Sequence, residues 1–253
     1  MDTIYLSVVI PSYDEMANLQ KGVLEKIDRF LSKKSYSFEV IIVDDGSKDG
    51  SIEFVEDFIK DHSQFTVIKN PHFGKAGAVT TGMLKAKGKY RLFTDMDQAT
   101  PIEELDTVLP FLENEQFDLV IGSRKNQRKG APLIRLFVSR SNIVLRKLIV
   151  GILDISDTQC GFKIFKDSVA SDIFETFRKI KKGFIATNGA AVTSGFDVEL
   201  LYIAEKKGYK IKEVPVKWLY VESRRVNPIT DSVKGLIDLL LIRLNILKGI
   251  YTT

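Results

Sequence analysis

The stretch Tyr90–Pro101, YRLFTDMDQATP, joins a short apolar run to two aspartates separated by a single residue. The apolar residues predict a β-strand that delivers Asp95 and Asp97 to its C-terminal end. Because side chains alternate along a strand, residues two apart point to the same side. Two carboxylates so arranged suit Mg²⁺ or Mn²⁺ carrying a phosphate-bearing substrate. A solvated turn before a helix, with Thr100 as its N-cap, is the alternative interpretation.

The composition indicates one α/β domain in a reducing compartment. The chain has 253 residues, of which 44% are hydrophobic, enough for one such domain with a full core. A single cysteine, Cys160, excludes an intramolecular disulfide. The N-terminal residues lack a signal-peptide pattern, and no stretch approaches the roughly 18 uncharged apolar residues of a spanning helix. We therefore expect a cytoplasmic protein, soluble or peripheral to a membrane.

Short apolar runs alternate with helical patterns in the N-terminal part of the chain. The predicted strands are Leu6–Ile10, Phe38–Val43, Phe65–Lys69 and the run that ends at Asp95, and the helices between them are Ala17–Leu31, Ser51–Lys60 and Ala76–Ala86. This alternation predicts a Rossmann-like α/β fold with a central, mostly parallel sheet and helices on both faces. Ligands of such sheets bind beyond the carboxyl ends of the strands.

Polar residues follow the predicted strands. The first strand runs into Tyr13 and Glu15, and the second into Asp44-Asp45-Gly46-Ser47. A carboxylate such as Asp44 can accept a hydrogen bond from the imino group of a uracil or the amide edge of a guanine, although an ordinary Asx turn explains the same residues. Lys75, flanked by glycines at a helix start, can contact a diphosphate or a base, and a plain loop is the alternative.

Two segments combine basic residues with a wide apolar face. Between Leu119 and Leu153 the chain carries eight basic residues and no acidic one, a charge that suits nucleic acid, anionic lipid or a phosphorylated substrate. Leu133–Leu153 and Asp231–Ile250 have the pattern of amphipathic helices that lie in a bilayer interface. Covering the core, or a contact in a homo-oligomer, is the alternative for either helix.

Four motifs occur in order, each at a predicted strand end: VVIPSYDE at 8–15, VDDGSKDGS at 43–51, GKAGAVTTG at 74–82 and TDMDQATP at 94–101. The set resembles the family-2 glycosyltransferases with the GT-A fold, notably the branch that makes dolichyl- or polyprenyl-phosphate sugars. GSR at 122–124, DTQCGFK at 157–163, FDVELL at 196–201 and EVPVKW at 213–218 are similar to that branch as well. The resemblance implies a GT-A domain over residues 1–222 and a C-terminal amphipathic membrane-interface helix over residues 223–253.

The resemblance implies a site for a nucleotide sugar and a divalent cation. Asp97 and Asp95 would hold Mg²⁺ or Mn²⁺, and the residues around the nucleotide sugar would be Pro11, Tyr13, Glu15, Asp44, Asp45, Lys75, Asp95 and Met96. Relatives with an Asp-x-Asp-x-Gln motif use the glutamine as a further metal ligand. Here Ala99 holds that place and Gln98 precedes it, so this chain departs from the pattern.

A lipid phosphate is the acceptor that the resemblance implies. Guanidinium groups match a phosphate monoester well, and the candidate acceptor ligands are Arg124, Arg135, Arg140, Gln159, Arg224 and Arg225. The last two could instead help to hold the donor diphosphate, or belong to a charged surface face. The second pKa of a phosphate monoester is near ~6, so it is mostly a dianion at neutral pH and needs no strong base. We expect an inverting hexose transfer, with UDP-glucose favoured over GDP-mannose, to dolichyl or polyprenyl phosphate at the cytosolic face of a membrane. Asp97, Asp197 and Arg124 are the candidate catalytic residues.

Two other functions are compatible with the sequence. A transferase that acts on a glycan hydroxyl would need a base, and Asp197 is the candidate. A basic module without catalysis would bind an anionic surface. Nucleic acid is disfavoured as a partner, because the acidic strand ends would repel a phosphate backbone.

Overall fold

One seven-stranded sheet organises the computed structural model, which describes residues 4–114, 116–124, 148–152, 155–182, 184, 195–219 and 228–251. The strand order is β3-β2-β1-β4-β6-β5-β7. The strands are β1 (Leu6–Ser12), β2 (Phe38–Asp44), β3 (Phe65–Lys69), β4 (Tyr90–Thr94), β5 (Leu119–Ser123), β6 (Phe162–Lys166) and β7 (Ile211–Pro215). All neighbours pair in parallel except β6, which runs antiparallel to β4 and β5. The predicted mostly parallel α/β sheet is confirmed.

Helices cover both faces of this sheet, as the sequence predicted. They are α1 (Met16–Leu19), α2 (Val23–Leu31), α3 (Ser51–Phe58), α4 (Gly74–Lys85), a 3₁₀ turn (Ile102–Glu104), α5 (Leu105–Val108), α6 (Pro110–Glu113), α7 (Asp167–Ile180), α8 (Phe196–Lys206) and α9 (Pro228–Leu247). Successive strand residues face opposite ways, so Val8 packs with the α2 and α5 side while Val9 packs with the α4, α7 and α8 side. Two buried apolar layers therefore enclose the sheet.

The predicted helix Ala17–Leu31 is wrong in one respect, because the structure divides it into α1 and α2. The break falls at Gly22, whose φ of +74° is left-handed. Glycine adopts that conformation without a steric cost, so it ends one helix and starts the next. The apolar period continues across the break, and for this reason the pattern alone did not reveal it.

The C-terminal helix α9 is present where the sequence predicted it. Its inner residues Leu239 and Ile242 are buried in the layer that also contains α4, α7 and α8. Within the described part of the chain, no helix combines the length and hydrophobicity needed to cross a bilayer. The predicted boundary between residues 222 and 223, and the predicted helix Leu133–Leu153 up to residue 147, lie outside the described residues.

Two leucines on different helices allow a direct test of this packing. Leu24 of α2 is fully buried, whereas Leu241 of α9 is 53% exposed. We expect Leu24→Ala to lower the free energy of unfolding by about 2–5 kcal/mol, because it leaves a cavity. The matched change Leu241→Ala should lower it by less than about 0.5 kcal/mol. Urea unfolding followed by circular dichroism measures both, and equal losses would contradict the burial of α2 described here.

Candidate active site

The carboxyl ends of three adjacent strands form one polar edge. β1 lies between β2 and β4, and its last residue, Ser12, is in register with Asp44 of β2. The loops that leave these strands therefore begin side by side. Because β6 is antiparallel and Phe162 pairs with Thr94, the segment that precedes β6 reaches the same edge. Motifs far apart in the sequence thus meet at one place.

Asp44 combines a turn with an available acceptor. Its Oδ2 accepts hydrogen bonds from the backbone N–H groups of Gly46 at 3.1 Å and Ser47 at 3.2 Å. Its Oδ1 is buried and has no hydrogen-bond partner among the described residues. A buried carboxylate oxygen without a donor is costly unless a ligand supplies one. The Asx-turn interpretation and the ligand interpretation therefore describe different oxygens of one side chain.

Asp45, which the resemblance assigns to the nucleotide sugar, makes hydrogen bonds within the fold. Its Oδ1 accepts from the N–H of Phe73 at 2.8 Å and its Oδ2 from the N–H of Gly74 at 2.7 Å. Burial raises the pKa of Asp45, and these hydrogen bonds only partly offset that effect. The carboxylate thereby fixes the start of α4, the helix whose first turn contains Lys75.

The loop after β1 contributes an aromatic surface. Tyr13 stacks on His72 with ring centroids 4.4 Å apart, and Nδ1 of His72 lies 2.6 Å from the carbonyl oxygen of Asp45. Glu15 accepts a hydrogen bond from Asn18 at 2.5 Å, and its own N–H donates to Ser51. The loops after β1, β2 and β3 therefore support one another, with Pro11 at the end of β1 beneath them.

Asp95, Asp97 and Lys75 form the charged centre of the site. Nζ of Lys75 lies 2.6 Å from Oδ1 of Asp95. Burial alone would lower the pKa of Lys75, but the nearby carboxylates Asp95, Asp197 and Asp97 outweigh it, so the pKa is raised. Burial and the neighbouring Asp95 raise the pKa of Asp97. The two strand-end carboxylates therefore repel each other, which favours a cation between or beside them.

Gly161 makes room for Asp95. A Cβ at position 161 would lie 1.9 Å from Oδ2 of Asp95, so no other residue fits without displacing the carboxylate. Beyond Asp95, the side chain of Met96 is buried in the core. Next to these residues, a cleft of about 720 Å³ reaches from Asp97 along α2 and is lined by Lys21 among others.

The carboxylates at Asp95 and Asp97 fit a divalent cation that takes few of its ligands from the protein. Oδ1 of Asp97 accepts from the N–H of Ala99 at 3.0 Å, and the Gln98 amide donates to the carbonyl oxygen of Asp95 at 2.9 Å. The described residues contain no group of three or more His, Cys, Asp or Glu side chains that could hold a metal ion. Mg²⁺ in substrate-phosphate sites commonly takes one or two carboxylates, with phosphate and water completing its shell. Asp95 and Asp97 are compatible with that arrangement.

Asp197 is held by a buried lysine that the sequence analysis did not identify. Nζ of the fully buried Lys163 donates to Oδ1 of Asp197 at 2.5 Å and to the carbonyl oxygen of Cys160 at 2.6 Å. The lysine also lies 5.1 Å from the ring centroid of Phe93. Its local sequence, a lysine between Phe162 and Ile164, does not predict burial, because its partner Asp197 is distant in sequence. The charge of Asp197 contributes to the raised pKa of Lys75.

Arg124 is locked into a network of acidic residues. Its Nε and Nη2 each donate to Asp157 at 2.7 Å, in a bidentate pair. Glu213 accepts from the N–H of Asp157 at 2.9 Å and from the hydroxyl of Ser123 at 2.7 Å, which fixes the pair from behind. Although burial opposes it, Arg124 lowers the pKa of Asp157 to about 2. Asp157 and Glu213 lie within the motifs at 157–163 and 213–218, but no local pattern predicts that they meet Arg124.

The remaining acceptor candidates divide into two groups. Gln159 is exposed, between Asp157 and Cys160. The buried thiol of Cys160 has a raised pKa because of that burial. The other four arginines lie outside the described residues: Arg135, Arg140, Arg224 and Arg225. Among the candidate arginines, Arg124 is the one within the described residues, and it follows β5 at the edge of the sheet where Asp157 lies.

Sequence comparison assigns the chain to a family. The model of glycosyl transferase family 2 matches residues 7–174. Dolichyl-phosphate beta-glucosyltransferase of Dictyostelium discoideum is 33% identical over 99% of this chain and 77% of its own length. The Saccharomyces cerevisiae protein of the same name is 34% identical, with the same coverage of both chains.

Structural comparison finds the same fold at lower sequence identity. Mannosyl-3-phosphoglycerate synthase of Rubrobacter xylanophilus superposes with a TM-score of 0.67 at 16% identity, over 97% of this chain and 75% of the other. Glucosyl-3-phosphoglycerate synthase of Mycobacterium tuberculosis, in complex with Mn²⁺, UDP and glucosyl-3-phosphoglycerate, gives 0.62 at 17% identity, over 95% and 80%. The chain therefore belongs to glycosyl transferase family 2 and has the GT-A fold that its motifs predicted.

Proposed function

We propose that this protein transfers glucose from UDP-glucose to the phosphate of dolichyl or polyprenyl phosphate, with inversion at the anomeric carbon. The observation that carries the proposal is that Asp95 and Asp97, which follow β4, and Arg124, which follows β5 and is fixed by Asp157, lie at one edge of the sheet. The first group suits a cation-bridged diphosphate, and the second suits a phosphate acceptor. The relatives' names, over nearly the whole chain, support glucose and dolichyl phosphate as the substrates.

The donor would lie over the ends of β1, β2 and β4. Oδ1 of Asp44 is a buried acceptor that can receive the imino N–H of uracil. The stacked pair of Tyr13 and His72 offers an aromatic surface at the neighbouring strand end. Asp95 and Asp97 would hold Mg²⁺ or Mn²⁺ beside Lys75, and the Mycobacterium tuberculosis neighbour, solved with Mn²⁺ and UDP, supports this cofactor. The metal, when bound, stabilises the charge of the departing diphosphate.

The acceptor requires orientation more than deprotonation. A phosphate monoester is already mostly a dianion at neutral pH, since its second pKa is near ~6. The bond to Asp157 uses Nε and Nη2 of Arg124 and sets the plane of the guanidinium, whose other N–H groups can bind phosphate oxygens. Oδ1 of Asp197 is committed to Lys163, which suits a fixed charge beside the reacting groups. Precise placement of both substrates supplies much of the rate.

The outer face of α9 would contact the membrane. This face exposes six large apolar side chains, each between 41% and 69% exposed: Leu236, Ile237, Leu240, Leu241, Leu244 and Leu247. Exposed basic residues, Lys234, Arg243 and Lys248, lie on the same helix or just beyond it. An apolar stripe with basic residues fits a bilayer that contains anionic lipid, where a polyprenyl acceptor also resides. The cytosolic side of that membrane and a homo-oligomer stay predictions.

The metal ligands are tested by Asp97→Asn. The change keeps the size of the side chain but removes a charge that would face the cation, so we expect transfer to fall by about a hundredfold or more. The assay measures radiolabel moved from UDP-glucose to organic-phase lipid, with a titration of Mn²⁺. Asp106→Asn, on an exposed aspartate of α5 that binds Lys34, is the control and should retain full activity. Undiminished transfer by Asp97→Asn would remove Asp97 from the metal site.

The acceptor role of Arg124 is tested by Arg124→Lys. Lysine keeps the charge but cannot bind Asp157 and a phosphate through one planar fork. We expect kcat/KM for dolichyl phosphate to fall by about tenfold to a hundredfold, while the KM for UDP-glucose changes little. Arg178→Lys, at an exposed ion pair with Glu175, is the matched control. A rise in the KM for UDP-glucose alone would instead assign Arg124 to the donor.

Membrane binding is tested by the double change Leu241→Gln and Leu244→Gln. Each exposed leucine should contribute about 1.5–3 kcal/mol to the free energy of membrane binding when it is buried in lipid. The affinity for vesicles of phosphatidylcholine and phosphatidylserine, measured by sedimentation, should therefore fall by about tenfold or more. Ser63→Gln with Thr66→Gln, both exposed near the β3 edge, is the control. If the double variant binds vesicles normally but turns a dimer into a monomer in sedimentation velocity, a second copy of the chain covers this face instead.

A further inference from the structure

The helix that contains Asp197 starts without a side-chain cap of its own. α8 begins at Phe196, and its N-cap residue, Gly195, has no side chain that could accept a hydrogen bond. The first N–H groups of a helix need an acceptor from elsewhere. Here the backbone N–H of Gly195 donates to Oδ2 of Asp238 at 3.0 Å. The cap of α8 therefore comes from the neighbouring helix α9.

Glycine at position 195 allows this close approach. A Cβ there would lie 2.7 Å from the Cβ of Asp238, closer than real side chains come. The two helices are therefore in backbone-to-side-chain contact at the N-terminus of α8. This contact fixes where the helix begins relative to α9, and Asp197 lies only two residues further along.

A second contact holds the same turn from the C-terminal end of the described chain. The hydroxyl of Tyr251 donates to Oε1 of the buried Glu199 at 2.7 Å, and Nζ of Lys181 lies 2.5 Å from Oε2. Burial and the adjacent Glu199 raise the pKa of Tyr251, so the phenol stays protonated and continues to donate at neutral pH. Gly195 and Glu199 thus anchor the first turn of α8 on either side of Asp197.

We propose that Asp238 is a positioning residue for Asp197. Asp238 would act through the backbone N–H of Gly195, from which its Oδ2 accepts a hydrogen bond. It fixes the first turn of α8, and that turn presents Asp197 to Lys163 and to the charged centre around Lys75. Because Asp238 belongs to the helix whose outer face is proposed to lie on the bilayer, the membrane-facing helix is part of the catalytic geometry. This inference rests on the proposed function of Asp197 and α9.

Two substitutions at one position separate positioning from charge. Asp238→Asn keeps an oxygen that can accept from Gly195, so we expect kcat to stay within about threefold of wild type. Asp238→Ala removes the acceptor. Since a displacement of about 1 Å near the chemistry can cost a hundredfold, we expect its kcat to fall by about tenfold to a hundredfold. The KM for UDP-glucose should change less than kcat, because Asp238 contacts the start of α8, whereas the donor loops follow β1, β2 and β3.

Asp172→Ala is the control for a merely structural effect. Asp172 of α7 binds Lys207 at 3.0 Å and Tyr209 at 2.7 Å, just beyond the C-terminal end of α8. We expect Asp172→Ala, like Asp238→Ala, to lower the free energy of unfolding, but to leave kcat near the wild-type value. Equal kcat values for Asp238→Ala and Asp172→Ala, with active wild-type protein, would overturn the inference.

Amide hydrogen exchange gives a readout that does not depend on activity. In Asp238→Ala, the amides of residues 195–199 should exchange at least about tenfold faster than in wild type, whereas Asp238→Asn should protect them. Unchanged protection in Asp238→Ala would also overturn the inference. If instead these amides respond as expected but wild-type protein glucosylates neither dolichyl nor undecaprenyl phosphate, the proposed function fails while the coupling of α9 to α8 stands.

Discussion

The site depends on the placement of one buried cation, Lys163. A fully buried ammonium group is tolerated only when it is hydrogen-bonded and paired. Lys163 meets this requirement through Asp197, the carbonyl oxygen of Cys160 and the ring of Phe93. Those partners belong to α8, to the segment before β6 and to β4. The register of the antiparallel strand and the start of α8 are therefore linked by the need to neutralise this charge.

Ion pairs around Lys163 give the site its electrostatic character. Lys75 binds Asp95, Lys163 binds Asp197, and Arg124 binds Asp157. Each cation already has a carboxylate partner, so the cluster presents fixed dipoles rather than a large uncompensated charge. Asp97 differs, because its pKa is raised by burial and by Asp95. An arrangement of this kind favours a substrate that brings its own cation and disfavours a bare phosphate backbone.

The sequence predicted the parts of the fold that have a local signature. β1 to β4 follow from apolar runs, and the close spacing of Asp95 and Asp97 follows from strand alternation. The antiparallel direction of β6 has no local signature, since the apolar residues of Phe162–Lys166 fit a strand that runs in either direction. For the same reason the contact of Gly161 with Asp95 could not be foreseen. It arises only when β6 is inserted beside β4 in reverse.

Within the site, the type of a residue predicted that it lies at the polar edge of the sheet, but not which groups its side chain binds. Asp44 and Asp45 are adjacent and have the same chemistry. Oδ1 of Asp44 has no hydrogen-bond partner among the described residues, whereas both oxygens of Asp45 accept hydrogen bonds from the start of α4. That difference depends on where the loop at Phe73 folds, which is a tertiary property. Lys163 and Asp157 were overlooked because a buried ion pair needs two partners distant in sequence. Each partner alone resembles an ordinary surface charge.

Packing ties the C-terminal helix α9 to the core and to α8, the helix that contains Asp197. Leu239 and Ile242 hold the inner face of α9 in the core, and their burial stabilises that position by about 1.5–3 kcal/mol each. The helix therefore cannot shift independently of α8, to which Asp238 binds it. With its outer face on a bilayer, the protein would hold Asp197 and Arg124 at a fixed height above the lipid. A polyprenyl phosphate needs this arrangement, because its headgroup cannot leave the interface without exposing the chain to water.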